Sequence, residues 1–149
     1  TATYTLTRAE AYNVFPDYVN IATVAELKDA FALGIRNISL NGDIALTEAW
    51  TPVGNTEKTW YGGLDGKNHK ISGLTVEGVE YAAFISHTAA NSTVKNLTLE
   101  NVNLNSTKHA AGVVCVAGEG LTLENVKVLS CVTVVSAVSV ESIGAETVP

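Results

Sequence analysis

Three stretches of the chain superpose: Leu74-Thr75-Val76-Glu77-Gly78-Val79, Leu97-Thr98-Leu99-Glu100-Asn101-Val102 and Leu121-Thr122-Leu123-Glu124-Asn125-Val126, at offsets of 23 and 24 residues. Few folds accept such a period. A unit in the low twenties that holds short alternating aliphatic runs and no helix is what one coil of a parallel β-solenoid requires, each coil lying about 4.8 Å above the last. Leu40 with Leu64 and Val114 with Val138 repeat the 24-residue step in a second register. The alternation assigns the side chains. Leu74, Leu97 and Leu121, with Val76, Leu99 and Leu123, form inward columns, and Thr75, Thr98 and Thr122 form an outward ladder. Gly78, Asn101 and Asn125 mark corners where φ turns positive and asparagines stack.

The rest of the chain fits around that repeat. With 149 residues it makes one domain, 1–149. Residues 1–22 read as an irregular lead-in with a short strand around Tyr4 and Leu6. Residues 23–34 read as a capping helix. Thr23 and Glu26 have the spacing of a capping box, Leu27, Ala30 and Phe31 share an apolar face with Ala32 at its edge, and Gly34 stands at the left-handed stop. Its physical task is to cover the open end of the first coil with Leu27 and Phe31. Residues 35–149 then form about four to five coils, and no matching cap is visible beyond Ser136.

Composition removes several function classes. The formal net charge is −6 and no basic stripe exists, so nucleic acid is not an expected partner. The longest uncharged apolar run, Val128 to Val140, is broken by Ser130, Thr133, Ser136 and Ser139 and falls short of the roughly 20 residues of a membrane span, so direct membrane insertion is not expected. His69, His87 and His109 lack metal-ligand spacing, which leaves no metal site and no cofactor implied. Asp43 and Asp65 resemble a hydrolytic acid pair, yet each adjoins a glycine at a bend, where an Asx turn accounts for it. Ser86 and His87 are adjacent without a nucleophile elbow around them. Cys115 and Cys131 sit among valines and read as buried free thiols.

Three segments carry a family resemblance. Trp50-Thr51-Pro52-Val53-Gly54 and the run from Trp60-Tyr61-Gly62-Gly63-Leu64-Asp65-Gly66 through Leu74, followed by Lys95-Asn96-Leu97-Thr98-Leu99, resemble bacterial surface proteins with the GLUG repeat. The resemblance spans about residues 23–145. It implies an all-β, right-handed parallel β-helix, and such modules are described as adhesive or structural. The signature of that family is expected near Phe84, Val113 and Val138, where most of its glycines are replaced.

The functional expectation follows from these readings. Trp50, Trp60, Tyr61 and Tyr81 lie in longer excursions between coils, among Thr51, Asn55, Thr56, Glu57 and Lys58. That setting predicts exposed rings for stacking on sugars, against the plainer reading in which Trp50 and Trp60 pack over a solenoid end. The leading expectation is a non-catalytic module, extracellular or on the cell surface, whose rigid wall serves adhesion or glycan contact, with a surface glycan or host protein as partner. The alternative is a self-assembling subunit of a surface fibre or phage appendage that associates through the C-terminal coil. A polysaccharide-degrading fragment ranks third.

Overall fold

The computed structural model describes residues 18–135. The expected strand around Tyr4, the Val138 register and the stretch from Ser136 to Pro149 lie outside these residues. The described residues begin with strand β1 (Val19–Ile21) and helix α1 (Val24–Leu33). Part of the lead-in is therefore regular: β1 pairs in parallel with the next strand, β2 (Asn37–Leu40).

Helix α1 is bounded as its sequence dictates. The Thr23 hydroxyl accepts the Glu26 N–H at 3.1 Å, while the Glu26 carboxylate accepts the N–H groups of Ala22 at 2.9 Å and Thr23 at 3.2 Å. Those donors, Ala22 foremost, hold the Glu26 carboxyl below the usual carboxylate range. Gly34 closes the helix in the left-handed conformation, with φ 70°. Leu27 and Ala30 are buried and Phe31 is half-buried, as a cap requires. Ala32 is exposed, so the apolar face is narrower than expected.

Beyond α1 every strand pairing is parallel, which is the signature of a chain winding in one sense. Strands β2, β3 (Ile44–Ala45), β4 (Gly63–Ser72), β5 (Thr75–Ala82), β7 (Thr93–Ala110) and β9 (Thr122–Val135) join β1 in one seven-stranded sheet. Strands β6 (Ile85–His87) and β8 (Val114–Val116) form a second, small one. Among the described residues the result is a mostly β, parallel β-solenoid of about 3 turns behind one short helix, where four to five coils were expected over residues 35–149.

The core is a set of stacked aliphatic columns. Ile38, Leu64, Val94 and Leu123 follow one another coil by coil, as do Ile44, Ile71, Leu99 and Val128. Ile38, Leu64, Val94, Ile71 and Leu99 are 0% exposed. Each such side chain contributes about 1.5–3 kcal/mol by leaving water, so the columns, rather than the hydrogen-bond ladder alone, hold the coils together.

The columns differ from those read in the sequence. Leu64 faces Val94 and Val94 faces Leu123, steps of 30 and 29 residues, where offsets of 23 and 24 were expected. Leu97 lies between His69 and Val126, so Leu74, Leu97 and Leu121 do not stack on one another. Leu40 pairs with Ile21, not with Leu64. The Thr ladder dissolves for the same reason: Thr75 faces Asn103, Thr98 faces Lys70 and Lys127, and Thr122 faces Thr93.

The corners explain the slip. Positive φ occurs at Asn68, Gly73 and Gly78 on one coil, at Asn96 and Asn101 on the next, and at Asn125 and Ser130 on the last, five residues apart within each coil. One wall therefore resembles the next. The internal match aligned Asn101 with Asn125, one wall out of step, whereas Asn125 donates to the side-chain oxygens of Asn96 at 3.1 Å and Asn68 at 3.3 Å. An asparagine ladder does exist, built from Asn68, Asn96 and Asn125 instead of Gly78, Asn101 and Asn125.

Candidate functional site

Of the four aromatic residues singled out in the sequence, two are interior. Trp50 and Trp60 are 5% and 7% exposed, which removes the exposed rings expected from their polar neighbours. Phe31 of α1 meets both edge-on, at centroid distances of 6.2 and 6.1 Å, and Trp50 stacks on Phe84 at 5.2 Å. The Trp50 indole N–H donates to the Phe84 carbonyl at 2.9 Å, so its polar atom is satisfied indoors. The plainer reading, packing over a solenoid end, describes them. The polar residues 55–58 are exposed, and Asn55 organises them as a turn by accepting the N–H groups of Glu57 and Lys58.

Tyr81 is half-buried and stacks on His109 at 5.1 Å, with its edge against His87 at 4.6 Å. It borders a cleft of about 310 Å³ that also exposes parts of Pro52, Asn55, Glu80, Ser86 and His87. Here the sequence understated a contact: Ser86 Oγ lies 2.7 Å from His87 Nδ1. The pair is not arranged as nucleophile and base. Ser86 Oγ also lies 2.7 Å from the Gly54 carbonyl, which can only accept. The single hydroxyl proton is thereby directed to Gly54, and His87 Nδ1 is the donor to Ser86.

The two aspartates are engaged with the backbone and with neighbouring side chains. Asp65 Oδ1 accepts the Lys67 N–H at 2.9 Å and the Asn96 amide at 3.2 Å. Asp43 Oδ1 accepts the Lys70 N–H at 3.0 Å and lies 3.2 Å from His69 Nδ1. The Lys70 amide, with His69 second, lowers the Asp43 pKa below its usual value. Asp65 is therefore the Asx-type support expected at its bend, whereas Asp43 departs from that expectation and braces one coil against the next through Lys70 and His69. Among the described residues no three His, Cys, Asp or Glu side chains converge as a metal site would need.

The cysteines are free but not interior. Cys131 is exposed and Cys115 is half-buried, since both sit on late coils that have less cover than the valines around them suggested. Cys115 Sγ donates to the Ala82 carbonyl at 3.3 Å, and burial pushes its thiol pKa up.

Tyr61 is 46% exposed and stands on a different wall. The Arg36 guanidinium lies 4.8 Å from its ring centroid. Beside it, Tyr18 is 36% exposed and the Lys95 ammonium lies 5.7 Å from that ring. A glycine pair forms the floor between them. A Cβ at Gly62 would fall 2.1 Å from the Arg36 carbonyl, and one at Gly63 would fall 2.7 Å from the Tyr18 hydroxyl. The missing side chain at Gly63 is what lets Tyr18 lie along the wall toward Lys95. Tyr61 was legible from its neighbours; Tyr18, Arg36 and Lys95 were not, because they come from three coils and only the register unites them. Searches against protein-family models, curated proteins and solved structures find no match to this chain.

Proposed function

We propose that the chain is a non-catalytic, extracellular solenoid module that presents a rigid lateral wall for glycan contact or adhesion. The observation that carries this reading is the exposed Tyr61, held against Arg36 on the outer wall of the stacked sheet. Outward side chains on such a wall repeat every coil at about 4.8 Å, so a ligand meets a fixed spatial pattern. Affinity then comes from several weak contacts on one rigid face. The commitment of Asp65 to a turn, of Asp43 to the Lys70 amide on a neighbouring coil, and of the Ser86 proton to Gly54 supports a binding role over hydrolysis. The right-handed sense and the kinship with GLUG-repeat surface proteins belong to this proposal and rest on the Trp50–Gly54, Trp60–Leu74 and Lys95–Leu99 segments.

The test is a glycan array with the purified chain, run beside a reducing-sugar assay on a polysaccharide panel. Binding without turnover is the expected result. Turnover abolished by Asp65→Asn would overturn it. A second reading is favoured by one observation: on β9, Leu123, Leu129, Val132, Val134 and Val135 are 45–56% exposed. An apolar face of that kind on the last described coil suits self-association into a fibre or appendage. Sedimentation of the full natural protein as a monomer at high concentration rejects this alternative.

A further inference from the structure

We infer that the cleft at His87 is a subsite for a neutral saccharide, with the imidazole Nε2 accepting one of its hydroxyls. This rests on the glycan-contact reading above and names a ligand class and a second point of contact. His87 is 5% exposed, yet one of its ring nitrogens is not spoken for. Among the described residues its side chain makes a single hydrogen bond, from Nδ1 to Ser86 Oγ at 2.7 Å. None of their side-chain nitrogens or oxygens that are sealed from solvent lacks a partner, so Nε2 reaches open space. The space that His87 borders is the cleft of about 310 Å³.

The direction of that nitrogen's lone pair is set in advance. Because the Ser86 proton goes to the Gly54 carbonyl, Nδ1 carries the imidazole hydrogen and Nε2 of the neutral ring is left as an acceptor. Tyr81, itself stacked on His109, lies against the His87 ring and holds its orientation before any ligand arrives. The rest of the cleft selects the ligand. Pro52 and Val79 are half-buried and offer apolar surface to the C–H face of a sugar ring. The Tyr81 and Thr56 hydroxyls and the Asn55 amide N–H groups make no hydrogen bond to the described residues, which leaves neutral donors and acceptors around the same space. Glu80, the charged side chain of the described lining, is already paired with Lys108 at 3.4 Å. An apolar ligand would leave Nε2 dry and without a donor, and a carboxylate would set negative charge against that lone pair and Glu80. A sugar hydroxyl donates and accepts, so it meets both the floor and the rim. The cleft lies at the small end of the about 300–1,000 Å³ typical of ligand sites, which suits a sugar unit.

The experiment is NMR titration of the isotope-labelled full chain with lactose, cellobiose and maltose, and with a galacturonate disaccharide as the charged control. At least one neutral disaccharide is expected to bind and to move the His87 Nε2 resonance, with the galacturonate disaccharide at least about tenfold weaker. His87→Leu is expected to weaken the neutral sugar about tenfold, the size of one lost hydrogen bond. Tyr81→Phe, which removes only a hydroxyl, is expected to weaken it about threefold and keeps the test open if His87→Leu fails to fold. Ser86→Ala should weaken binding and spread the His87 proton over both ring nitrogens, a change in their resonances that a merely structural role for Ser86 would not produce. Failure of all the neutral disaccharides to move His87, equal or tighter binding of the galacturonate disaccharide, or affinity unchanged in folded His87→Leu, or in Tyr81→Phe where His87→Leu does not fold, overturns the inference. Where a saccharide still binds in those cases, here or on the array, the glycan-contact reading survives. Absence of binding by the wild type to any saccharide, in either experiment, removes both.

Discussion

The first and the last described coils of the solenoid are of the same kind and meet opposite surroundings. At the first coils, α1 places Leu27 and Ala30 against the columns and inserts Phe31 among Trp50, Trp60 and Phe84. At the last described coil, β9 pairs with β7 from Thr122 to Val135, yet Val132 and Val134 remain 56% and 54% exposed. The difference teaches that backbone pairing and burial are separate contributions. A ladder extends a coil, but only a layer on its far side takes its aliphatics out of water.

That contrast is sharpest in the core under the cap. Phe84 is 0% exposed and touches Phe31 and Trp50, so Phe84→Ala is expected to cost about 3–5 kcal/mol in denaturant unfolding. A loss near zero would mean that the aromatic cluster is not packed as described. Next comes the corner ladder. Asn96 sits at φ 53° and bridges Asp65 to Asn125, so Asn96→Ala is expected to cost about 1–2 kcal/mol, with Asn96→Gly recovering the backbone part of it.

A smaller effect should appear with acid. The folded pKa of Glu26 is depressed by the Ala22 N–H, so the stability it contributes is present above the unfolded carboxylate range and is lost as pH falls through the folded value. Asp43, lowered by the Lys70 N–H, acts in the same direction. Melting temperature followed from neutral to acidic pH should therefore decline, and Glu26→Gln should flatten that decline; an unchanged slope would remove the capping box from the account. The least effect belongs to the open coil: Val134→Ala is expected to change stability by less than about 0.5 kcal/mol. A loss comparable to that of Phe84→Ala would show that β9 is covered in solution, and the contrast between the ends would fall.

The sequence made some of this legible and hid the rest for identifiable reasons. Helix α1 was readable because its signals are local: Thr23, Glu26 and Gly34 each act within a few residues. The parallel solenoid was readable because strands and corners recur. The register was not, since Gly73 with Gly78, and Asn96 with Asn101, place two equivalent corners five residues apart on one coil. A self-match then slides by one wall and shortens the apparent period. At another wall the order of the coils is simpler, since Phe84 and Val113 immediately precede Ile85 and Val114, which face each other. Among the site residues, Tyr61 carried a local signal, whereas Trp50 and Trp60 were misjudged because their polar neighbours turn outward on Asn55 while the rings turn in. Tyr18 and Lys95 meet only through Gly63, a relation that no local pattern contains.

The coil register is the claim on which the columns, the asparagine ladder and the Tyr18–Lys95 pairing all depend. It is tested most directly by oxidative cross-linking in a Cys115→Ser, Cys131→Ser background. Thr98 and Lys127 face each other on β7 and β9, where neighbouring Cα atoms at about 4.8 Å fall within disulfide range, so Thr98→Cys with Lys127→Cys is expected to cross-link on oxidation. Thr98→Cys with Thr122→Cys, the pair that the 24-residue repeat would bring together, is expected to stay reduced. The opposite outcome, a bond at the second pair and none at the first, would contradict the account.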